Sequence, residues 1–298
     1  MNVFVSGATG LIGRHLVQLL EASGHSVIRL VRSDIRSSRE RYWDTGGRRL
    51  NAGILEGCDA LIHLAGEKIS GIRWNEFKKD TIYDSRISST ARMAEAITRM
   101  PVPPRVFIVA SATGYYGNCG STELTESSPP GSTFLSEVCQ DWEHAANPAR
   151  NFTRVVHVRT GMVLTPAGGA LRSLLPEFRA CLGGVIGRGS QYWSWISLDD
   201  ICRLYQFCIE NESIVGPING VSPQPVTNRE FTRALSKVLH RPALIPLPAL
   251  VARIFLGEMA EELLLSSARV LPQGAVQAGF QHRHTELTAA LKDLLSRR

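Results

Sequence analysis

Short apolar runs alternate with longer segments of helical periodicity over the first 160 residues. The runs at residues 3–5, 26–31, 60–64, 105–110 and 153–158 are rich in Val, Ile, Phe and Leu, which is typical of buried strands. Between them, apolar positions recur at helical spacing at residues 11–24, 80–100 and 134–146. Strands that alternate with helices indicate a parallel sheet covered on both faces. The pattern therefore predicts an α/β fold with a doubly wound parallel sheet of Rossmann type.

A glycine-rich turn connects the first strand to the first helix. In the stretch MNVFVSGATGLIG, Gly7, Gly10 and Gly13 follow the spacing GxxGxxG. Gly7 allows a tight turn, Gly10 lets the backbone approach a pyrophosphate, and Gly13 lets the helix pack closely on the strand. The helix N-terminus offers free N–H groups to an anion. In this strand–turn–helix context, the motif predicts a dinucleotide-binding site rather than an ordinary βα turn.

The end of the second strand bears on which dinucleotide binds. NAD sites place an acidic residue there to hold the ribose 2′-hydroxyl, whereas NADP sites place an arginine nearby. The strand ends Leu30-Val31-Arg32-Ser33, and the guanidinium of Arg32 can pair with a 2′-phosphate. Two alternatives remain: Arg32 is a solvated loop residue, or Asp34 is an NAD-type acid. We favour NADP.

The alternation of apolar runs and helical segments ends after about residue 160. Glycine-rich loops come first, prolines then punctuate the chain, and helical patterns return at residues 228–239, 250–270 and 286–296. We expect an NAD(P)-binding domain at residues 1–165. A smaller C-terminal α/β lobe at 166–298 would lie on the substrate side, be partly interleaved with the sheet, and close over the carboxyl ends of the strands.

Composition narrows the class of protein. Of 298 residues, 44% are hydrophobic and 20% are charged, which is typical of a soluble globular protein. No apolar run approaches the roughly 18 residues of a membrane span, so we expect a cytoplasmic protein without membrane association. The six cysteines form no CxxC pair and no zinc-ligand spacing. We interpret them as reduced, mostly buried thiols and expect no metal site.

The net charge of +6 has its densest source just after the second strand. The arginines concerned are Arg29, Arg32, Arg36, Arg39, Arg41, Arg48 and Arg49. They form either a solvated loop or a pocket for an additional phosphate. No helix-turn-helix and no basic–aromatic platform is visible, so we expect no nucleic-acid partner.

Several motifs occur in an order that resembles a known superfamily. SGATGLIG at 6–13, HLAG at 63–66, Ser111 at a strand end running into Tyr116-Gly117, and RTG at 159–161 resemble the extended short-chain dehydrogenase/reductases. Three later stretches, LGGVIGRGSQYWSWISLDD, GPINGVSPQPVTNREF and GEMAEELLLSSARVLP, are similar to one atypical branch. That branch consists of NAD(P)-dependent epimerase/dehydratase-like proteins of poorly known activity, and the resemblance covers essentially the whole chain.

The resemblance implies a set of cofactor-binding residues. Those that would line the pyrophosphate are Gly7, Thr9, Gly10, Leu11, Ile12 and Gly13. Arg32 would face the adenosine ribose, and Leu64, Ala65 and Gly66 would pass beneath the cofactor on its nicotinamide ribose side. Arg86 in the next helix would reach back toward the cofactor; the alternative is a surface arginine on an amphipathic helix.

The catalytic motif of the superfamily is missing. Those enzymes use a serine or threonine, here Ser111, and about two dozen residues later a YxxxK pair. Its tyrosine transfers the proton, and its lysine lowers the tyrosine pKa and holds the ribose. The window at residues 131–139 contains neither residue. Phe134 or Leu135 stands at the tyrosine position, and Val138 or Cys139 at the lysine position.

Three groups are candidates to replace the tyrosine. Tyr115 and Tyr116 follow Ser111 in a loop that should border the nicotinamide end, and Tyr116 is our first choice beside Ser111 itself. Glu67 follows the HLAG turn, where a partly buried carboxylate could act as a base with a raised pKa. Cys139 could be redox-active, but a buried inert thiol is the better interpretation.

The second lobe carries an aromatic cluster and an acidic pair. Gln191, Tyr192, Trp193 and Trp195 lie close to Arg188 and could either clamp a ligand or form a packed junction, which we favour. Asp199 or Asp200 is expected to cap the helix that follows.

We therefore expect an NADP(H)-dependent oxidoreductase or epimerase-like enzyme that acts on a small-molecule substrate. A nucleotide sugar is the candidate substrate class. The alternative is a catalytically silent NADP(H)-binding sensor or scaffold, which the missing tyrosine and lysine favour.

Overall fold

Seven of the strands pair in one parallel sheet. The computed structural model describes residues 1–44, 50–71 and 73–296. Its strands are β1 (Asn2–Ser6), β2 (Ser26–Val31), β3 (Glu40–Tyr42), β4 (Ala60–His63), β5 (Val106–Ala112), β6 (Glu123–Leu124), β7 (Arg154–Thr160), β8 (Met162–Leu164), β9 (Tyr192–Trp193), β10 (Trp195–Ser197), β11 (Gly216–Gly220), β12 (Val226–Thr227) and β13 (Arg269–Val270).

The order of strands in the sheet is β11-β7-β5-β4-β1-β2-β3. Strand β1 lies between β2 and β4, with Val3 opposite both Val27 and Ala60. The strands β1, β2 and β3 follow one another toward one edge of the sheet. The chain then returns to the other side of β1, where β4, β5, β7 and β11 follow one another toward the opposite edge. In open α/β sheets, ligands bind at this reversal, outside the carboxyl ends of the strands. Gly7 and Leu64 directly follow the two strands concerned.

Helices cover both faces of the sheet. They are α1 (Leu11–Ala22), α2 (Glu76–Thr98), α3 (Phe134–His144), α4 (Gly169–Arg179), α5 (Leu198–Glu210), α6 (Asn228–Leu239), α7 (Ala249–Leu256), α8 (Glu258–Ala260), α9 (Gln273–Gln277) and α10 (Leu287–Ser296). Helices α1 and α5 bury Leu16, Leu20 and Leu204 against one face. Helices α2 and α3 bury Met93 and Trp142 against the other. The doubly wound sheet predicted from the sequence is confirmed.

A further core lies outside the sheet and joins α4, α6 and α10. It contains Phe178, Trp193, Trp195 and Phe231, with Leu291 from α10. The Trp195 indole N–H donates to the carbonyl of Gln224 at 2.9 Å. These tryptophans form the packed junction that we favoured over a ligand clamp. The boundary at residue 165 stays a prediction; after it, α5 and β11 return to the main sheet.

The predicted helix at residues 250–270 is helical only as far as residue 265 and is interrupted at Gly257. The chain instead forms α7, α8, a π-helical turn at Glu261–Leu265 and the short strand β13. Gly257 lies between α7 and α8 with φ of +60°, a left-handed conformation that suits glycine and interrupts the helix. Periodicity alone missed this break because both sides of the interruption continue with apolar residues.

The expected aspartate cap of α5 is also wrong, because Ser197 occupies the N-cap position. The Ser197 hydroxyl accepts the Asp200 N–H at 3.1 Å. The fully buried Asp200 carboxylate accepts the N–H groups of Arg283 and His284 at 2.8 and 2.9 Å. Arg203 also donates to it at 3.0 Å. Asp200 therefore ties a distant segment of the chain to the start of α5.

Across the described ranges, every helix is either too short or too polar to cross a bilayer.

Candidate functional site

The glycine-rich turn is packed so closely that side chains are excluded. A Cβ on Gly13 would lie 2.2 Å from the Gly7 carbonyl oxygen, and one on Gly7 would lie 2.7 Å from the Leu64 carbonyl carbon. Gly7 also has φ of +70°. Helix α1 starts at Leu11 with Gly10 as N-cap, and no side chain caps it and no acidic residue lies in its first turn. The free N–H groups and the positive end of the helix dipole therefore face outward, as an anion site requires.

Two arginines that do not belong to the glycine motif lie beside this turn. Arg14 donates from Nε to the Thr9 carbonyl at 2.7 Å, and Arg172 donates to the Ala167 carbonyl at 3.0 Å. Together with Thr9, Gly10 and Leu11 they line an open cleft of about 410 Å³. Arg14 could have been noticed as part of the turn's own sequence, but Arg172 is brought to the turn only by the fold.

A buried chain of hydrogen bonds joins the ends of β1 and β4. His63 of the HLAG motif contacts the Ser6 hydroxyl through Nδ1 at 2.6 Å and the Ser89 hydroxyl through Nε2 at 2.8 Å. Burial lowers the pKa of His63 to about 3, so the ring is neutral at physiological pH. The histidine thus fixes Gly7 and Leu64, its neighbours at the reversal point of the sheet.

Arg32 lies at the end of β2 with an exposed side chain. It is near enough to Glu67 for its charge to act on that carboxylate. Other arginines of this segment are bound elsewhere: Arg29 and Arg39 pair with Glu21, and Arg41 donates to the Ile54 and Glu56 carbonyls. Asp34 is exposed in the adjoining loop. Arg48 and Arg49 lie outside the described residues.

Arg86 reaches from α2 to the HLAG turn. Its guanidinium donates from Nη2 to the Glu67 carbonyl at 2.9 Å and from Nη1 to the Ile82 carbonyl at 3.0 Å. Gly66 leaves room for it, since a Cβ there would lie 3.3 Å from the Arg86 Cζ. Burial lowers the pKa of Arg86. It is therefore half-buried against the candidate site and is not a surface arginine.

Ser111 and Tyr116 belong to one buried polar network. The Ser111 hydroxyl donates to Glu143 Oε1 at 2.8 Å, and the same carboxylate accepts two hydrogen bonds from Arg159. Arg159 also donates to the Tyr116 hydroxyl at 3.0 Å, which in turn donates to Asn219 Oδ1 at 2.7 Å.

Burial raises the pKa of Tyr116 to about 12, and its side chain is fully buried. Both predicted catalytic hydroxyls are thus engaged by protein groups. This arrangement favours a positioning role over proton transfer, and the catalytic assignment of Ser111 and Tyr116 stays a prediction. Tyr115 is half-buried, and the Arg159 guanidinium stacks on its ring, with the Arg159 Cζ 3.4 Å from the ring centroid.

Helix α3 presents apolar groups where the superfamily has its tyrosine and lysine. A Cβ on Gly114 would lie 3.3 Å from the Leu135 Cβ and 3.8 Å from the Cys139 sulfur. Leu135 and Cys139 are therefore the pair, four residues apart, that faces the loop after Ser111. Burial raises the pKa of the Cys139 thiol to about 12, which makes it the inert thiol that we preferred.

The expected raised pKa of Glu67 is wrong. Lys78 donates to its carboxylate at 2.6 Å, and this hydrogen bond lowers the pKa of Glu67 by more than burial raises it. The carboxylate is ionised and partly exposed, which disfavours it as a general base at neutral pH.

Glu262 is a candidate residue that the sequence analysis did not identify. Its Oε2 accepts the Thr133 hydroxyl at 2.8 Å, at the start of α3 and next to Phe134 and Leu135. Burial raises the pKa of Glu262. No local signal could have found it, since it lies 129 residues away from Thr133 in the sequence.

Comparison with known proteins identifies the family. A model of the NAD dependent epimerase/dehydratase family matches residues 3–219. The chain belongs to this family. A second model, described as a domain of unknown function (DUF1731), matches residues 247–294. An epimerase family protein of Mycobacterium bovis is 40% identical to this family member over 290 residues, which are 97% of the chain and 96% of the relative.

Two solved structures share this whole architecture. The crystal structure of the human epimerase family protein SDR39U1 with NADPH has a TM-score of 0.93 and 36% identity, with both chains fully covered. A nucleoside-diphosphate sugar epimerase from Corynebacterium glutamicum has a TM-score of 0.80 and 35% identity over 99% of this chain and 58% of that one. The predicted membership of an atypical, extended epimerase branch is confirmed.

Proposed function

We propose that this epimerase-family protein binds NADP(H) and uses it as an oxidoreductase or epimerase-like enzyme on a small molecule. The observation that carries the proposal is the uncapped N-terminus of α1 at a turn where Gly7 and Gly13 leave no room for side chains. The free N–H groups of that surface suit a ligand with an anionic group. The NADPH in the human relative supports the same cofactor here.

Each part of the cofactor has candidate partners. Residues Thr9 to Gly13 would hold the pyrophosphate, and Arg14 and Arg172 add positive charge beside it. Arg32 would bind the 2′-phosphate that distinguishes NADP from NAD. Leu64, Ala65 and Gly66 would support the nicotinamide side. Bound NADP(H) would supply the hydride chemistry.

The substrate class that we propose is a nucleotide sugar. This rests on the 35% identical Corynebacterium protein, which is described as a nucleoside-diphosphate sugar epimerase. Turnover would need a proton donor other than the missing tyrosine. Glu262 is the candidate that the geometry adds, because its raised-pKa carboxyl group lies beside Phe134 and Leu135.

The second candidate function is an NADP(H)-binding sensor or scaffold without turnover. One observation favours it: the hydroxyls of Ser111 and Tyr116 are both buried and bonded to protein groups. In this case the protein would bind the cofactor without catalysing a reaction, and whether NADPH or NADP occupies the site would be the signal.

A binding experiment tests the cofactor proposal. We expect the purified protein to bind NADPH more tightly than NADH, and Arg32→Ala to weaken NADPH binding by roughly 10- to 100-fold, the value of a lost charged hydrogen bond. Arg36→Ala is the matched control, because Arg36 is exposed in the same loop. Equal affinity for both cofactors, or an unchanged dissociation constant in Arg32→Ala, contradicts NADP selectivity.

A turnover screen separates the two functions. NADPH oxidation and NADP reduction are followed over a panel of carbonyl compounds and nucleotide sugars, and the interconversion of sugar epimers is followed separately because an epimerase returns its hydride and leaves the cofactor unchanged overall. Turnover that falls in Glu262→Gln, with NADPH affinity retained, supports the enzyme and this proton donor. Tight NADPH binding with no turnover across the panel supports the sensor.

A further inference from the structure

Helix α7 and the segment that leads into it expose an apolar surface. From Pro242 to Leu256 the only charged residue is Arg253. Five large apolar side chains of this segment are between 52% and 80% exposed: Leu244, Ile245, Leu250, Ile254 and Phe255. We call these five side chains the α7 face. No other stretch of twelve residues in the described ranges exposes more than two large apolar side chains. A concentration of this kind marks an interaction site.

The opposite side of α7 already has its partners within the fold. Ala252 is buried, and Leu256 packs against the cluster that contains Trp74 and Met259. Arg73 donates to the Ile254 carbonyl at 3.4 Å, next to the end of the helix. These contacts fix the orientation of α7. The α7 face is therefore turned outward by the packing of the helix on the protein.

The extended backbone before α7 is closed to an additional strand. The N–H groups of Ile245 and Leu247 donate to the carbonyls of Gly183 and Val185 at 3.2 and 2.9 Å. The alternate positions, 246 and 248, would direct their N–H groups outward, but both are proline and have none. A partner at this surface therefore has to pack against side chains, because the backbone offers no donors for strand addition.

The charges on and next to α7 are compensated within the chain. Arg253 pairs with Glu261, and Glu258 pairs with Lys79 at 3.2 Å. The core of an interface between proteins is depleted of charged residues. An anionic bilayer would instead favour unpaired cations among the apolar side chains. The α7 face therefore suits another protein surface that is itself apolar and carries no uncompensated charge.

The area of the α7 face matches the requirement of a dimer. Large apolar side chains present about 100–200 Å² each when fully exposed, so the five together offer roughly 400–600 Å². A standard interface buries about 800 Å² on each partner, and a little over half of this area is apolar. Leu250 and Ile254 lie one turn apart and form a ridge, which a two-fold axis can set against the same ridge of a second copy. Two α7 faces thus supply the apolar part of such an interface.

We propose that the α7 face is the contact surface of a symmetric homodimer, in which α7 of one protomer packs against α7 of its partner. The inference does not depend on the proposed NADP(H) function. It has a consequence for the candidate site, because Gly257 joins α7 to the segment that carries Glu262. The Glu262 carboxylate accepts the Thr133 hydroxyl at 2.8 Å at the start of α3. Dimerisation would hold the beginning of that segment in place.

The test measures the mass of the purified protein by sedimentation velocity and light scattering over a range of concentrations. Two double variants carry opposite charges on the face, namely Leu250→Glu with Ile254→Glu, and Leu250→Lys with Ile254→Lys. Val102→Glu is the matched control, because Val102 is a 78% exposed apolar residue outside the face. Thermal unfolding followed by circular dichroism checks that each variant is folded.

We expect the wild type and Val102→Glu to have twice the monomer mass of 32.7 kDa. Each double variant should be a folded monomer, with the dissociation constant of the dimer raised by at least about 100-fold, because the new charges would lose their hydration in an apolar contact. A mixture of the Glu and Lys variants should associate more tightly than either alone, since each face then meets its opposite charge.

Several results would overturn the inference. A wild type that is monomeric at every concentration would do so, and so would a dimer that persists in both double variants, which would place the interface elsewhere. A mixture that associates no better than its components would contradict the contact between two α7 faces. A monomeric wild type that co-sediments with vesicles of phosphatidylglycerol and phosphatidylcholine would assign the face to a lipid surface instead.

Discussion

The Arg159 guanidinium donates two parallel hydrogen bonds to the Glu143 carboxylate, from Nε to Oε1 and from Nη2 to Oε2, both 2.8 Å long. The side chains are only 3% and 10% exposed. This pair joins β7 to α3 beneath the loop that carries Tyr116. Because both charges are removed from water, each depends on the other for compensation.

Breaking this pair should be strongly destabilising. Glu143→Gln leaves the Arg159 charge without its counter-ion, and we expect a loss of about 3–5 kcal/mol in the free energy of unfolding. Urea unfolding followed by circular dichroism measures it. Glu123→Gln is the matched control, because Glu123 forms a 3.0 Å pair with Arg269 that is largely exposed and should contribute less than about 1 kcal/mol. Similar losses in both variants would contradict the buried-pair argument.

Tyr116→Phe tests whether this tyrosine serves the fold or the cofactor. The change removes the hydroxyl between Arg159 and Asn219, and we expect a loss of about 1–3 kcal/mol from the groups left unpaired. NADPH affinity should be unchanged within about twofold, because the hydroxyl is fully buried. Unfolding and binding are measured on the same sample. Weaker NADPH binding at unaltered stability would place the hydroxyl against a ligand and return Tyr116 to the catalytic candidates.

His157 should make the fold sensitive to mild acid. It is buried in β7, neither ring nitrogen has a hydrogen-bond partner among the described residues, and burial lowers its pKa from 6.5 to about 4. Below pH 6.5 the unfolded chain takes up a proton that the folded chain does not, so stability falls as pH drops from 6.5 toward 4. From these pKa values, this histidine should cost about 2 kcal/mol at pH 5 relative to pH 7.

His157→Phe should remove this part of the pH dependence. Urea unfolding at pH 7 and pH 5 gives the difference in stability for the wild type and the variant. The exposed His144, changed to Gln, serves as control and should leave the wild-type difference intact. An unchanged difference in His157→Phe would show that this histidine is not the source.

Most elements of the first half of the fold could be predicted because the sequence patterns that specify them are local. Five strands of the sheet, β1, β2, β4, β5 and β7, contain short apolar runs, whereas β3 (Glu-Arg-Tyr) and β11 (Gly-Pro-Ile-Asn-Gly) lack this pattern and were not predicted. The glycine-rich turn lies within a few residues of both elements that it joins. The predicted strand at 26–31 and the predicted helix at 228–239 match the structure at both ends. The helix from 250 failed because Gly257 adopts a left-handed conformation that a hydrophobic pattern does not register.

The polar side-chain contacts around the candidate site were harder to predict because the residues that form them are far apart in the sequence. Ser111 was recognised, but its partner Glu143 is 32 residues further along and Arg159 another 16. Arg86 was noticed only through resemblance, and its contact with Gly66 appears only in the folded chain. Glu262 lies in a stretch that was noticed through resemblance, but nothing in that stretch links it to Thr133, 129 residues away.

The tie between Asp200 and residues 283–284 has a consequence for synthesis on the ribosome. Domains generally fold from the N-terminal side as the chain emerges. The strands β1 to β7 can pair early. The buried Asp200 carboxylate, however, can form two of its hydrogen bonds only after backbone N–H groups more than eighty residues later have been synthesised. Until then α5 carries an incompletely compensated charge on the face that must cover the sheet. We therefore expect the packing of α5 on the sheet to be completed only after residues 283 and 284 have left the ribosome.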